Sequence, residues 1–267
     1  MNSYRLPVIF LNLIFIFTSI FFPSYVFSEE YKFTRMWPTL HQPWYFNNPQ
    51  DIATDSKGYV YIADTENYRI QKFTSDGQFV ARWSIINAPY YFPPLGIACD
   101  YDDYIYVADS EYIQKFTSSG EFVRKWQRDD GTDFNPSSVE TDEKGFVYVT
   151  DIRNTCIHVF TNDGEFTGQW GIKGENDGEF LSPSAITLDN KGFAYVTDIK
   201  RHCVQKFQVL IENNILSVKF IRKWGLNGKE QEQFDHPFGI ETDGSQVFVV
   251  DMKNDRVQVF NPDGVFI

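Results

Sequence analysis

Cysteine, histidine and positive charge are all scarce in this chain, and each shortage removes a class of function. The three cysteines, Cys99, Cys156 and Cys203, are too few and too far apart for a disulfide scaffold or a Cys-x-x-Cys zinc site. The four histidines (His41, His158, His202, His236) include no pair at the i, i+2 or i, i+4 spacing of local metal ligands. Lys and Arg number 24 against 36 Asp and Glu, a formal net charge of −12 with no basic cluster. That balance argues against nucleic acid as a partner, because phosphate binding draws on Lys and Arg. No Gly-Lys-Ser/Thr phosphate loop occurs, helical periodicity is nearly missing, and there is only one long apolar run. What remains is aromatic, with 26 Phe, 15 Tyr and 6 Trp in 267 residues. A chain of this length buries about 70–75% of its unfolded surface and needs no staples.

The apolar run is Leu6 to Phe22, behind Arg5 and followed by Pro23, Ser24 and Val26-Phe27-Ser28 before Glu29-Glu30. This is the order of a secretory signal peptide, so residues 1–28 are expected to direct export to the periplasm, the cell envelope or the outside. The run is also near the lower limit for a membrane span, and an uncleaved N-terminal anchor is the alternative. Without that anchor no membrane association is expected. Residues 29–267 then form the second unit.

That unit is one phrase written five times. Val60-Tyr61-Ile62-Ala63-Asp64 returns as Ile105-Tyr106-Val107-Ala108-Asp109, Val147-Tyr148-Val149-Thr150-Asp151, Ala194-Tyr195-Val196-Thr197-Asp198 and Val247-Phe248-Val249-Val250-Asp251, at spacings of 45, 42, 47 and 53. Before each lies a turn such as Asp55-Ser56-Lys57-Gly58, and after each an alternating strand such as Ile70-Gln71-Lys72-Phe73. A further turn leads to a fourth strand ending in Trp83, Trp126, Trp170 or Trp224. Four short strands per repeat and a period near 45 predict an all-β fold, a β-propeller of four-stranded antiparallel blades. Lys32 to Trp37 matches a fourth strand alone, and the fifth repeat ends at Val265-Phe266-Ile267, where its own fourth strand begins. Joining the two would close a five-bladed ring. The alternative is an incomplete six-bladed ring. Gln208 to Val218 is an insertion in the fourth repeat, expected to project as a hairpin.

The starts resembling Pro94-Leu95-Gly96-Ile97-Ala98-Cys99-Asp100, the turn Ala63-Asp64-Thr65-Glu66-Asn67-Tyr68-Arg69-Ile70 and the Phe-x-x-x-Gly-x-Phe strands make the sequence resemble the NHL-repeat propellers. The resemblance covers about residues 31 to 267 and implies a binding module. Some NHL relatives carry zinc modules and act as ubiquitin ligases or RNA binders. Export and acidity argue against both roles here. Other similar propellers are metal-dependent enzymes, peptidyl-hydroxyglycine lyases and calcium-dependent lactonases, so an enzyme holding Ca or Zn at the channel mouth is an alternative. Its suspects would be Glu140, Glu241, His236 and His202.

The strand-end aspartates (Asp64, Asp109, Asp151, Asp198, Asp251) are expected to accept backbone N–H bonds rather than to form a cation ring. Cys156 and Cys203 recur at equivalent positions, on the order of 10 Å or more apart in such a ring and beyond disulfide reach. Glu140 and Glu241 share one inner-strand position with Ala53, Ala98 and Thr187 and mark a possible channel site. The repeated Phe46, Phe92, Phe134, Phe180 and Phe234 read as core anchors. Trp44, Tyr45, Tyr90 and Tyr91 are surplus to that pattern and become the candidate ligand-binding residues of the loop face. The function expected is an exported binding module for a protein, peptide or glycan, with no catalytic residue, no assigned metal ligand and no required cofactor. A cell-envelope scaffold using the inserted hairpin is the third reading.

Overall fold

The computed structural model describes residues 45–85, 92–128 and 130–267. The expected leader and the Lys32 to Trp37 segment lie outside the described residues. No helix among the described residues is long and apolar enough to cross a membrane.

Among the described residues nineteen strands build five blades. Blade 1 holds β1 (Pro49–Thr54), β2 (Val60–Asp64), β3 (Arg69–Phe73) and β4 (Phe79–Ser84). Blade 2 holds β5 (Gly96–Cys99), β6 (Ile105–Ala108), β7 (Ile113–Phe116) and β8 (Phe122–Trp126). Blade 3 holds β9 (Pro136–Thr141), β10 (Phe146–Asp151), β11 (Cys156–Thr161) and β12 (Phe166–Trp170). Blade 4 holds β13 (Pro183–Leu188), β14 (Phe193–Asp198), β15 (Cys203–Glu212) and β16 (Ile215–Trp224). Blade 5 holds β17 (Pro237–Thr242), β18 (Val247–Asp251) and β19 (Arg256–Phe260). In every blade the strands follow sequence order and pair antiparallel, innermost first. The five-bladed propeller of antiparallel sheets expected from the repeat is the observed fold.

The first turn of each blade shows why the repeated Asp is there. Asp55 Oδ1 accepts the amides of Lys57 and Tyr59 at 3.0 and 2.9 Å, and Oδ2 accepts the Tyr61 hydroxyl at 2.8 Å. Asp100, Asp142 and Asp189 repeat this with Tyr106, Tyr148 and Tyr195. Burial raises the pKa of each of these phenols, so the hydroxyl stays a donor.

Successive blades are joined by two devices. Trp83, Trp126 and Trp224 lie so close to Gly120, Gly164 and Gly264 of the next blade that a Cβ there would sit 2.6 or 2.7 Å from the indole. Lys72, Lys115 and Lys206 cross tyrosine or phenylalanine rings to donate to the carbonyls of Ser118, Asn162 and Pro262, at 2.9, 3.1 and 2.7 Å. Burial lowers the pKa of all three ammonium groups. Blade 3 has Val159 where the lysine belongs, and its joint to blade 4 is made by the insertion instead. The insertion lengthens β15 and β16 to ten residues each, turning at Asn213-Asn214, both with positive φ. Val209, Ile211, Leu216 and Val218 pack on Phe146 and Tyr148 of blade 3. The hairpin therefore leans on its neighbour rather than standing free.

Inner strands β1, β5, β9, β13 and β17 pack side by side in that order. No comparable packing joins β17 to β1 among the described residues. Among the described residues blade 5 has three strands, with Val265 to Ile267 beginning to run along the outer edge of β19. Phe266 meets Phe260 edge-on at 5.8 Å, as Phe122 meets Phe116 at 5.9 Å, and the Ile267 amide donates to Val259.

Candidate functional site

The loops entering each first strand and the turns between second and third strands lie at one end of the blades. Strand-end aspartates organise this end. Asp64, buried, accepts the amide of Asn47, the Asn67 amide group, Arg69 Nε at 2.7 Å and Gln71 Nε2 at 2.8 Å. Asp251 receives the same set from Asp235, Asn254, Arg256 and Gln258. With their lone pairs so occupied, these carboxylates hold turns rather than cations.

Two of the connecting loops, residues 171–180 and 225–234, share one build. The Phe180 amide donates to Ile172 and the Gly174 amide to Phe180; Phe234, Leu226 and Gly228 do the same. Gly171 and Gly225 have φ of 88° and 94°, and a Cβ on either would meet the following Phe ring at 2.5 Å. This tight fold leaves Ile172 and Leu226 pointing outward, 63% and 59% exposed. Tyr45 at the entry to blade 1 is 62% exposed and Met252, in the blade 5 turn, 44%. The equivalence of Ile172 and Leu226 was readable as a Gly-Ile/Leu-x-Gly that follows both Trp170 and Trp224, but nothing local marks the position as exposed.

Of the aromatic residues expected to bind ligand, only Tyr45 falls among the described residues. Its carbonyl accepts Asn67 and Arg69 at 3.2 and 3.0 Å, which leaves the ring outward. Trp44, Tyr90 and Tyr91 lie outside the described residues. The anchors Phe134, Phe180 and Phe234 are buried as expected and pack on Phe160, Phe207 and Phe260.

Glu140 and Glu241 do share a ladder position, facing Tyr148 and Phe248, and each accepts the amide of the next residue. Ala53 and Ala98, at the same position, pack into the apolar layers between blades. Glu241 also accepts the Thr187 hydroxyl at 3.3 Å, and enclosure by the channel walls raises its pKa. A carboxylate that sequence reasoning passed over joins it. Asp51 accepts the amides of Ile52 and Ile97, the second in blade 2, and burial followed at a distance by the charge of Glu241 raises its pKa to about 7.

Two groups bring metal-ligating atoms together among the described residues. In the first, buried in blade 3, His158 Nε2 is 3.1 Å from Asp151 Oδ2 and 3.4 Å from Cys156 Sγ. His158 stands where blades 1, 2, 4 and 5 have Gln71, Gln114, Gln205 and Gln258. Burial, then the Asp151 charge, pushes the Cys156 thiol up to about 12, and Cys203 is likewise raised to about 12 by burial and Asp198. Burial opposes ionisation of Asp151, yet hydrogen bonds from His158 and Asn154 hold its pKa below the usual value. Both thiols are protonated, and Cys99, Cys156 and Cys203 form no disulfide. In the second group, half-buried at the loop end between blades 4 and 5, are His202, Asp235 and His236.

The NHL repeat family's model matches residues 46–73 and 180–207, in blades 1 and 4. No curated protein matches the chain. Among solved structures, catalytically inactive H270A virginiamycin B lyase from Staphylococcus aureus with quinupristin superposes with a TM-score of 0.60 at 16% identity, over 82% of this chain and 68% of the other. A protein of unknown function from Bacteroides caccae gives 0.60 at 14% identity, over 82% and 80%. A nidogen/laminin complex gives 0.58 at 21% identity, over 82% and 78%. At these identities the likeness is one of fold. The chain is a five-bladed β-propeller that carries NHL repeats.

Proposed function

We propose that this protein is an exported binding propeller whose loop face takes a protein or peptide partner. The observation that carries this reading is the set of apolar side chains exposed on that face at the blade junctions, Tyr45, Ile172, Leu226 and Met252. Aliphatic groups held outward on short, hydrogen-bonded loops suit the apolar anchor of a peptide, whereas a glycan calls for flat rings to stack on. The net charge of −12 favours a partner with basic groups around that anchor. The fold neighbour crystallised as a nidogen/laminin complex has a protein partner. Export rests on the leader-like residues 1–28.

The test is selection of a displayed peptide library on the wild-type chain, followed by measurement on the Ile172→Asp, Leu226→Asp double variant. Enriched peptides should lose at least about tenfold in affinity, roughly 1.4 kcal/mol, with the melting temperature unchanged. Peptides that bind both forms equally, or no enrichment at all, would overturn the reading. A second reading, a metal-dependent propeller enzyme, is favoured by the His202, Asp235 and His236 group and by fold likeness to virginiamycin B lyase.

A further inference from the structure

We propose that His202, Asp235 and His236 bind one divalent transition-metal ion, zinc by the character of the donors, at the junction of blades 4 and 5. The ligand atoms of the three lie within 4.8 Å of one another. His236 Nδ1 is 2.6 Å from Asp235 Oδ1, and the two imidazoles stand perpendicular with centroids 5.4 Å apart. Two imidazoles and a carboxylate are a common zinc set, and three protein ligands leave a position for water or a bound group.

The repeat supplies its own comparison. At other junctions the turn of one blade also meets the entry of the next: Thr65 reaches the Pro94 carbonyl, and Asn135 reaches the Ser110 carbonyl. At the place of His202 the other turns have Tyr68, Thr155 and Asp255, all in the same left-handed conformation with φ of 51–53°. At the place of Asp235-His236 blade 1 has Asn47-Asn48 and blade 4 has Leu181-Ser182. Of the blade junctions among the described residues, the one between blades 4 and 5 brings three ligating side chains together; the other such group lies inside blade 3. His236 holds φ of 60°, a conformation that costs an imidazole more than the asparagine at the matching Asn48, φ 50°.

The surroundings fit as well. His202 and His236 touch across the junction, the His236 amide lying 3.4 Å from His202 Nδ1, while the Asn227 side chain lies 3.3 Å from His202 Nε2. With an ion on Nδ1 in place of the His236 amide, His202 Nε2 carries the proton, and Asn227, its side-chain amide turned to present Oδ1, is placed to accept it as the outer hydrogen bond that orients a metal-bound imidazole. The side chains of His236 and Asp235 keep 32% and 29% of their surface accessible, so an ion has a path in. The buried Asp151, Cys156 and His158 group lacks these properties. There carboxylate and thiol both address the same His158 nitrogen, and Nδ1 has no hydrogen-bond partner, so that histidine stands in for a repeated glutamine.

Zinc titration of the purified full chain against a competing chromophoric chelator tests the assignment. One saturable site per chain is expected. His202→Tyr, which installs the residue of the equivalent turn in blade 1 and so should fold, and Asp235→Asn should each weaken it by roughly tenfold or more. His158→Gln should leave stoichiometry and affinity as they were. Absence of saturable zinc binding, or binding indifferent to His202→Tyr, would overturn the proposal, as would loss of the site in His158→Gln.

Discussion

Asp51 sits on the innermost strand of blade 1 with both oxygens on backbone amides, one of them in blade 2. Its folded pKa of about 7 lies above the ordinary 3.8, so the native state holds the proton more tightly than the unfolded chain does. The stabilisation from this group is therefore complete below about pH 4 and disappears as the pH rises through 7. Asp51→Asn should flatten the fall in melting temperature between those limits relative to wild type, as followed by calorimetry. A parallel pair of curves would show that the carboxyl stays ionised. Sequence alone did not point to Asp51, because an Asp beside Ile52 reads as a turn residue until the register against Ala63 places it inside a strand. The turn and strand-end aspartates were legible, since each recurs in all five repeats, the turn Asp six residues before a Tyr in four of them and the strand-end Asp three residues before an Asn in three. The alignment of His158 with Gln71 and Gln114 was equally legible in the repeat, but its bond to Asp151 was not, because the two meet only across the β10–β11 turn.

Among the elements, the β15–β16 hairpin departs most from the repeat. Its existence could be read from the long spacing to Trp224, but its docking could not: alternation in Val209, Ile211, Leu216 and Val218 announces a buried face without saying what covers it. The answer is blade 3, the one blade followed by another that lacks the lysine tie. A scaffold role for the hairpin is left with the outward face, where Leu210 and Ile215 are exposed. The two-residue turn has positive φ at Asn213 and Asn214, 50° and 61°, which is the pattern that favours Asn-Gly. Asn214→Gly should raise stability by about 0.5 kcal/mol in urea unfolding, and a loss of that size would mean the turn has another form.

For the whole molecule, stability is spread over joints between blades rather than concentrated in one core. Apolar layers lie between blades 1 and 2, 2 and 3, 3 and 4, and 4 and 5. None of the joints is a disulfide, since all three thiols are free. A reductant should therefore leave the melting temperature within about 1 °C, a shift worth only a few tenths of a kcal/mol for a domain of this size; a large drop would reveal a cross-link. Five repeats were legible in the sequence, but they left a five-bladed ring and an incomplete six-bladed one both open, because how the last blade meets the first depends on packing that no single repeat encodes. The loop-end group was legible only in part for a related reason: His202 and His236 were among the suspects for a metal enzyme, but Asp235 was not, and the two histidines, 34 residues apart, meet only because one blade's turn abuts the next blade's entry.

The lysine ties also have a direction in time. Lys72, Lys115 and Lys206 are held by carbonyls 46, 47 and 56 residues further along the chain. On a ribosome each ammonium emerges before its acceptor has been made, by a few seconds at about 5–20 residues per second. The growing protein thus carries one unanswered lysine at its newest blade, passed forward as synthesis proceeds. Blade 3 interrupts this relay, because Val159 has nothing to pass on. A nascent chain halted there shows the aromatic flank of Phe146 and Tyr148 until the hairpin of blade 4, rather than a lysine acceptor, arrives to cover it.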